Sequence, residues 1–205
     1  MTVVTTDGRR ARGERSRRAI LEAAASLSSV EGLEGLSLSR LAAHLDMSKS
    51  GLYAHFESKE ELQLAVIDMA GEMYGRDVMA VAARQEPGIA QILGFADTFL
   101  DYVRSGPFPG GCFFIASFLD PANLRPAVKE SLAAMQRRLL DFMAENAQVA
   151  KEKGHLPEDV DPSELAFEVD AILVGADVNY ILFDDLNRLS RAKAAVRRLL
   201  GVTES

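Results

Sequence analysis

Residues 47–62 read MSKSGLYAHFESKEEL, and Lys49, Ser50, Tyr53 and Lys59 within that stretch carry the groups that bind a polyanion. An ammonium and hydroxyls beside a helix N-terminus suit phosphate oxygens, and the same groups reach acceptors on base edges. The spacing puts several of them on one face of a helix expected from Lys49 to about Phe56. With Leu52 and Phe56 turned inward, a step of about 100° per residue points Ser50 and Ala54 outward, flanked by Gly51 and Tyr53. Ala54 suits a thymine methyl group. Glycine inside a helix costs about 0.8–1.0 kcal/mol relative to alanine, so a merely solvated face gives no reason for Gly51 or for an outward Tyr53. The competing reading is a small three-helix bundle with a polar outside.

Other chemistries lack their residues. There is no G-x-S-x-G elbow, P-loop or G-x-G-x-x-G in a strand–helix setting, and no Ser/His/Asp set with a local catalytic signature. No enzymatic activity is expected. His44, His55, Cys112 and His155 have no metal-ligand spacing, so neither a metal nor a cofactor is expected. Cys112 is the one cysteine, which excludes an intrachain disulfide. Near a helix N-terminus its thiol has two readings, a reactive sensor of oxidants or electrophiles and a small buried hydrophobe.

The elements that must position these groups are helical throughout. Strand alternation is missing, whereas apolar residues recur at helical spacing along almost the whole chain. The first helix is expected from about Glu14 to Val30, followed by a short one capped by Ser37. A turn through HLDMS leads to the helix capped by Ser48, and Ser58-Lys59-Glu60-Glu61 opens a fourth with a capping box. Five further helices are expected from about Pro87 to Val103, Gly111 to Leu119, Pro126 to Lys153, Asp161 to Asp184 and Asn187 to Leu200. The fold class is all-α, with about nine helices.

With 205 residues, 48% of them hydrophobic, the chain can bury a sizeable core. A net charge of −7 argues against nucleic acid until its distribution is considered. Residues 1–20 hold Arg9, Arg10, Arg12, Arg15, Arg17 and Arg18 against Asp7 and Glu14, a net of +4, whereas residues 61–205 carry a net of −8. One end of the molecule is basic, through either a solvated tail or a nucleic-acid-binding surface. No apolar run reaches the roughly 20 residues that span a bilayer, and the N-terminus has no signal-peptide core. A soluble, cytoplasmic protein with no membrane partner is expected.

Residues 35–62, GLSLSRLAAHLDMSKSGLYAHFESKEEL, resemble the DNA-binding head of the TetR family of bacterial transcriptional regulators. The likeness rests on a short helix after a serine, a pattern close to VS-x-G-x-LY-x-x-F, and a following SKEEL. Two departures stand out: Asp46 occupies the usual turn glycine, and KSGLY shifts the glycine relative to KGTLY. The resemblance implies a helix-turn-helix head over residues 1–60 and a ligand-binding, dimerising body over 61–205. It places phosphate contacts on Ser37 or Ser39, Tyr53 and Lys59, and base-reading positions on Arg40, Lys49, Ser50, Gly51 and Ala54. His55 is expected at the edge of the bundle, and the N-terminal arginines resemble extensions that reach the DNA backbone or minor groove.

For the body, the resemblance implies a homodimer through the last two helices and release of an inverted-repeat operator in double-stranded DNA by a small-molecule effector. LAFEVDAILVGADVNYILF agrees, being apolar on two faces. Phe95, Phe99, Tyr102, Phe113, Phe114, Phe118, Met135, Leu139, Phe142 and Met143 are the candidate lining of a largely apolar effector pocket, with ordinary core as the alternative for each. Asp170, Asp177 and Asn179 interrupt an apolar helix, through a pocket role, surface exposure or pairing across a dimer. A thiol sensor acting through Cys112 on the same fold is the second functional reading, and an all-α adaptor without DNA the remote one.

Overall fold

The computed structural model describes residues 5–118 and 121–202, with side chains from residue 11 onward, and among these every regular element is helical. The helices are α1 (Thr5–Glu31), α2 (Leu38–His44), α3 (Lys49–Tyr53), α4 (Lys59–Tyr74), α5 (Ile89–Ser105), α6 (Phe113–Phe118), α7 (Pro126–Glu152), α8 (Pro162–Phe183) and α9 (Asn187–Leu199). A π-helical turn, Gly75–Met79, and a last α-turn, Ala80–Ala82, extend α4.

Local side-chain chemistry sets four of the starts. Ser37 Oγ accepts the Arg40 amide at 3.2 Å, Ser48 Oγ the Gly51 amide at 3.0 Å and Ser58 Oγ the Glu61 amide at 3.0 Å. Asp161 Oδ1 accepts the amides of Ser163 and Glu164 at 2.7 and 3.1 Å. The capping box at α4 is displaced by one residue, because Glu61 Oε2 reaches the Glu57 amide (2.7 Å). Asp46 has φ 51, so the usual turn glycine is replaced here by a residue whose short side chain tolerates that conformation.

Three boundaries differ from the sequence expectation. The first helix begins at Thr5, so the basic segment continues α1; the Arg9 and Arg10 side chains, like Leu119, lie outside the described residues. The third helix ends at Tyr53, because the His55 amide turns to Leu52 O (2.9 Å), yet Phe56 remains fully buried. The short helix α6 starts at Phe113 because Gly111, at φ 89, cannot belong to it.

Helices of seven and five residues are too short to persist alone. Burial of Leu41, Leu52 and Phe56 in one core with Ile20 and Ala24 of α1 holds them. Arg17 pins the arrangement, donating from Nη1 to His55 O (2.9 Å) with its guanidinium 4.3 Å from the Phe56 ring centre. Gln63 Nε2 closes the base of the head on Leu33 O (2.7 Å). In the body, α7 packs on α4, α5 and α8, and α9 lies along α5 and α8. Asp97 joins α5 to α9 through both terminal nitrogens of the Arg197 guanidinium (3.2 and 3.0 Å) and Lys193 (3.1 Å).

The end of α1 meets the body at the PGGC turn before α6. Gly110 donates its amide to Ser29 Oγ (3.2 Å), and a Cβ at Gly110 would lie 1.8 Å from the Ser29 carbonyl oxygen. Backbone touches backbone there. Gly110→Ala is therefore expected to destabilise the protein by about 1–3 kcal/mol. Gly13→Ala, on an open part of α1 with nothing within 4 Å, should be neutral or stabilising by up to about 1 kcal/mol. Denaturant unfolding of both variants checks this, and equal midpoints would refute the close contact.

Candidate functional site

Two regions hold the candidate residues: the outer face of α3, and the interior between α4, α5, α6, α7 and α8. On α3 the exposed residues are Lys49, Ser50, Tyr53 and Ala54, with Tyr53 half out in solvent at 51%. Leu52, on the opposite side, is fully buried. Ser50 Oγ lies 3.2 Å from Ser48 Oγ, so it sits beside the cap and over the helix N-terminus. Gly51 serves the same cap: a Cβ there would come within 3.1 Å of Ser48 Oγ.

Neither α2 nor α3 has an acidic residue in its first turn, a feature shared with α5, α6, α7 and α9, whereas α4 has Glu60 and Glu61 and α8 has Glu164. Lys49, at the first position of α3, adds a cation to the positive end of the helix dipole, which favours an external anion there.

The remaining head candidates are partly engaged. Ser39 is exposed, and Ser37 spends its oxygen on the α2 cap. Arg40 Nη2 pairs with Glu31 Oε1 at 2.5 Å. Lys59 turns toward the α1–α2 loop, where Nζ donates to Glu34 O (2.5 Å) and Glu34 Oε1 (2.7 Å). That contact holds the Glu34 carboxyl below the usual range. Arg17 is committed to His55 and Phe56, and Arg18 pairs with Glu22, while Arg12 and Arg15 are exposed on α1.

In the body, Phe95, Phe99, Phe114, Phe118, Met135 and Leu139 line one internal cavity of about 40 Å³. Tyr102, Phe113, Phe142 and Met143 do not. Tyr102 packs edge-on against Tyr74 at 5.9 Å, Phe113 against Phe108 and Phe114 at 6.0 and 5.4 Å, Phe142 against Phe95 at 6.3 Å, and Met143 is wholly enclosed. Tyr102, Phe113 and Met143 are core, and the partly buried Phe142 packs against it. The lining also includes Tyr74, Ile115, Gln136, Asp170, Leu173 and Val174. The sequence signals Asp170 by its polarity and leaves Tyr74 hidden inside the α4 apolar stripe.

Burial separates the polar residues of α8. Asp170 accepts from Gln136 Nε2 (2.8 Å), and burial raises its pKa. Asn179 donates back to Gly175 O one turn earlier (2.7 Å). Asp177 is neither exposed nor at an outer face; it is 2% exposed and accepts the Cys112 amide at 3.1 Å. A Cβ on Gly111 would collide with its carboxylate at 2.7 Å. Cys112 itself is buried, and burial pushes its thiol up to about 12. A reactive thiolate needs the opposite shift.

Among the described residues no group of three or more His, Cys, Asp and Glu side chains could hold a metal, and no helix is long and apolar enough to cross a membrane. Residues 20–66 match the family model described as bacterial regulatory proteins, tetR family, and residues 88–196 match the tetracyclin repressor-like C-terminal domain. A TetR transcriptional regulator from Chloroflexus aurantiacus J-10-FL superposes with a TM-score of 0.84 at 26% identity, covering 93% of this chain and 96% of that one. A TetR-family regulator from Streptomyces coelicolor gives 0.73 at 27%, covering 94% and 97%. AibR, in complex with isovaleryl coenzyme A and operator DNA, gives 0.74 at 24%, covering 91% and 99%, a likeness of fold.

Burial raises Asp177 from an ordinary 3.8 to about 6, so the folded state favours its protonated form. That contribution to stability is fully present below pH 3.8 and is lost as pH rises through about 6. Asp177→Asn keeps an oxygen for the Cys112 amide and removes the titration. Between about pH 4 and 7, wild-type stability should fall by on the order of 1–3 kcal/mol more than that of Asp177→Asn. Parallel pH profiles from chemical denaturation would refute this.

Proposed function

The chain belongs to the TetR family of bacterial regulatory proteins, and from that premise we propose that it is a repressor released from an inverted-repeat operator by a small, largely apolar effector. In this reading residues 1–60 bind DNA, and residues 61–205 hold the effector and dimerise. The observation that carries it is the outer face of α3, where Lys49, Ser50, Tyr53 and Ala54 are exposed beside an uncompensated helix N-terminus. Tyr53 holds phosphate and Lys49 reaches a phosphate and a base-edge acceptor, while Ser50 and Ala54 face the base edges with Gly51 allowing close approach. Ser37 and Ser39 flank the backbone, and Arg40 and Lys59 reach DNA by leaving Glu31 and Glu34.

The second half of the proposal is a homodimer. Phe167, Val178, Ile181, Leu182, Phe183 and Leu186 are exposed, Leu182 at 71%, while the opposite face of α8 buries Leu165, Val169 and Leu173. Phe167, Ala171, Val178 and Leu182 recur at multiples of the three- and four-residue spacing that forms one stripe. An exposed apolar stripe of this kind fits a partner surface. Exposed positions on α9 are more polar, including Asn187, Arg191 and Arg198, so the apolar share falls to α8 and the turn after it.

The Cys112 sensor reading is disfavoured by the buried, high-pKa thiol. AibR, captured with operator DNA and isovaleryl coenzyme A, supports the pairing of DNA with a small ligand on this fold.

Gel-shift titration against DNA upstream of the protein's own gene tests the reading. Binding should weaken steeply with salt. Lys49→Ala and Tyr53→Ala should each cost about 1–3 kcal/mol of binding, the lysine variant also lowering the salt slope by about 1, with helicity unchanged by circular dichroism. Unaltered affinity in both variants would remove α3 from the interface. Leu182→Glu should sediment as a monomer; a wild-type monomer at micromolar concentration would overturn the dimer.

A further inference from the structure

The internal cavity is a cage of aromatic rings with one carboxyl group in its wall. Tyr74 meets Phe99 and Phe114 edge-on at 6.4 and 5.7 Å, Phe95 stacks on Phe99 at 6.2 Å, and Phe118 tilts against Phe114 at 6.3 Å. Among the described residues that line the space, Asp170 alone is charged. Its hydrogen-bond partner there, Gln136, is neutral, so the hydrogen bond orients the carboxylate without cancelling its charge. Asp170 is partly buried, and a carboxylate that has lost part of its water gains when a cation meets it. Aromatic faces carry negative charge density and favour the same partner. An anionic ligand would meet repulsion from both.

From this arrangement we propose that the effector is a lipophilic cation, an aromatic or alkyl amine or quaternary ammonium, seated against Asp170 within the ring cage. The inference rests on the ligand-responsive reading above and narrows its effector to one chemical class.

A route of matching charge adjoins the cavity. Between α4 and α7 lies an open cleft of about 600 Å³ that shares Tyr74, Met135 and Leu139 with the cavity. Asp68 and Glu72 stand in its lining, both exposed, against Arg138. The inner space of about 40 Å³ has room for only a few waters, so an effector must displace the wall. Met135 suits that role, because its flexible thioether repacks readily. Its methyl group also crowds the backbone, lying 3.3 Å from where a Cβ on Gly71 would stand. The π-helical turn at Gly75–Met79 follows Tyr74 directly, and such turns occur often at functional sites. A cation drawn from the cleft to Asp170 thus parts α4 from α7, and α4 itself packs against α1 of the head.

The test uses three probes of similar size and different charge, titrated into the full-length protein by calorimetry: phenyltrimethylammonium, its neutral isostere tert-butylbenzene, and 3-phenylpropionate. The cation should bind at least about tenfold more tightly than either of the others. Asp170→Asn keeps an acceptor for Gln136 and should lose most of that preference, leaving tert-butylbenzene within about twofold; circular dichroism and the unfolding midpoint verify that it folds. Equal affinity for cation and isostere, an unaltered preference in Asp170→Asn, or no binding of the cation would each overturn the proposal. The same probes added to the protein–DNA complex separate the two levels. If the neutral or anionic compound binds and releases DNA, the cation class falls and the ligand-responsive reading stands. If the protein binds no DNA in the absence of any probe, that reading falls, while calorimetry still decides the chemistry of the cavity.

Discussion

The contact on which the rest depends is the wedge of Gly110, Gly111 and Cys112 between α1 and α8. On one side the Gly110 backbone presses on the Ser29 carbonyl with no room for a side chain. On the other, Asp177 takes the Cys112 amide and fills the space that a Cβ on Gly111 would need. Two glycines in succession let a single turn touch the end of the DNA-binding helix bundle and the helix proposed to dimerise. Interiors packed this closely transmit small displacements instead of absorbing them, and this turn joins α6 and α8 to the end of α1. The arrangement makes ionisation of Asp177 costlier, since burial raises its pKa to about 6.

The head depends on the same economy of backbone contacts. Its five-residue α3 exists because Ser48 supplies a cap, Leu52 and Phe56 supply burial, and Arg17 fastens the following turn. With its inner side fixed by those residues, the outer side is free to be small and polar. A rigid inner face and a permissive outer face are what a helix needs if it is to enter a DNA groove without unfolding at its short length. The second fastening, Lys59 on Glu34, ties the start of α4 to the loop before α2 and makes α4 the common member of head and body.

In the body, burial decides between two chemistries. Cys112 and Asp170 both lie near Tyr74, and both experience the cost of charge in an apolar interior. For the thiol the result is loss of nucleophilicity, because its charged form is suppressed. For the carboxyl, held by Gln136 at the cavity wall, the same cost makes a cationic partner favourable. An environment hostile to a thiolate sensor is suited to recognition of a positive ligand.

The sequence alone determined the helix count, the α2 to α4 starts, the α8 start and the exposed face of α3. These are decided within three or four residues, by a serine or aspartate meeting the next free amides and by the helical period. It also marked six of the cavity residues, because aromatic and methionine side chains at core spacing are the same whether they enclose space or fill it. That ambiguity is why Tyr102, Phe113, Phe142 and Met143 were indistinguishable from their neighbours, and why Tyr74 was missed. Tertiary structure decided everything resting on partners far along the chain: Arg17 with His55, Lys59 with Glu34, Gly110 with Ser29, and Asp177 with Cys112. The range of α1 and the π-helical turn in α4 also emerged only there. Each of these depends on which surfaces meet in space, and the energy of a buried charge or a backbone collision has no value until that meeting fixes its surroundings.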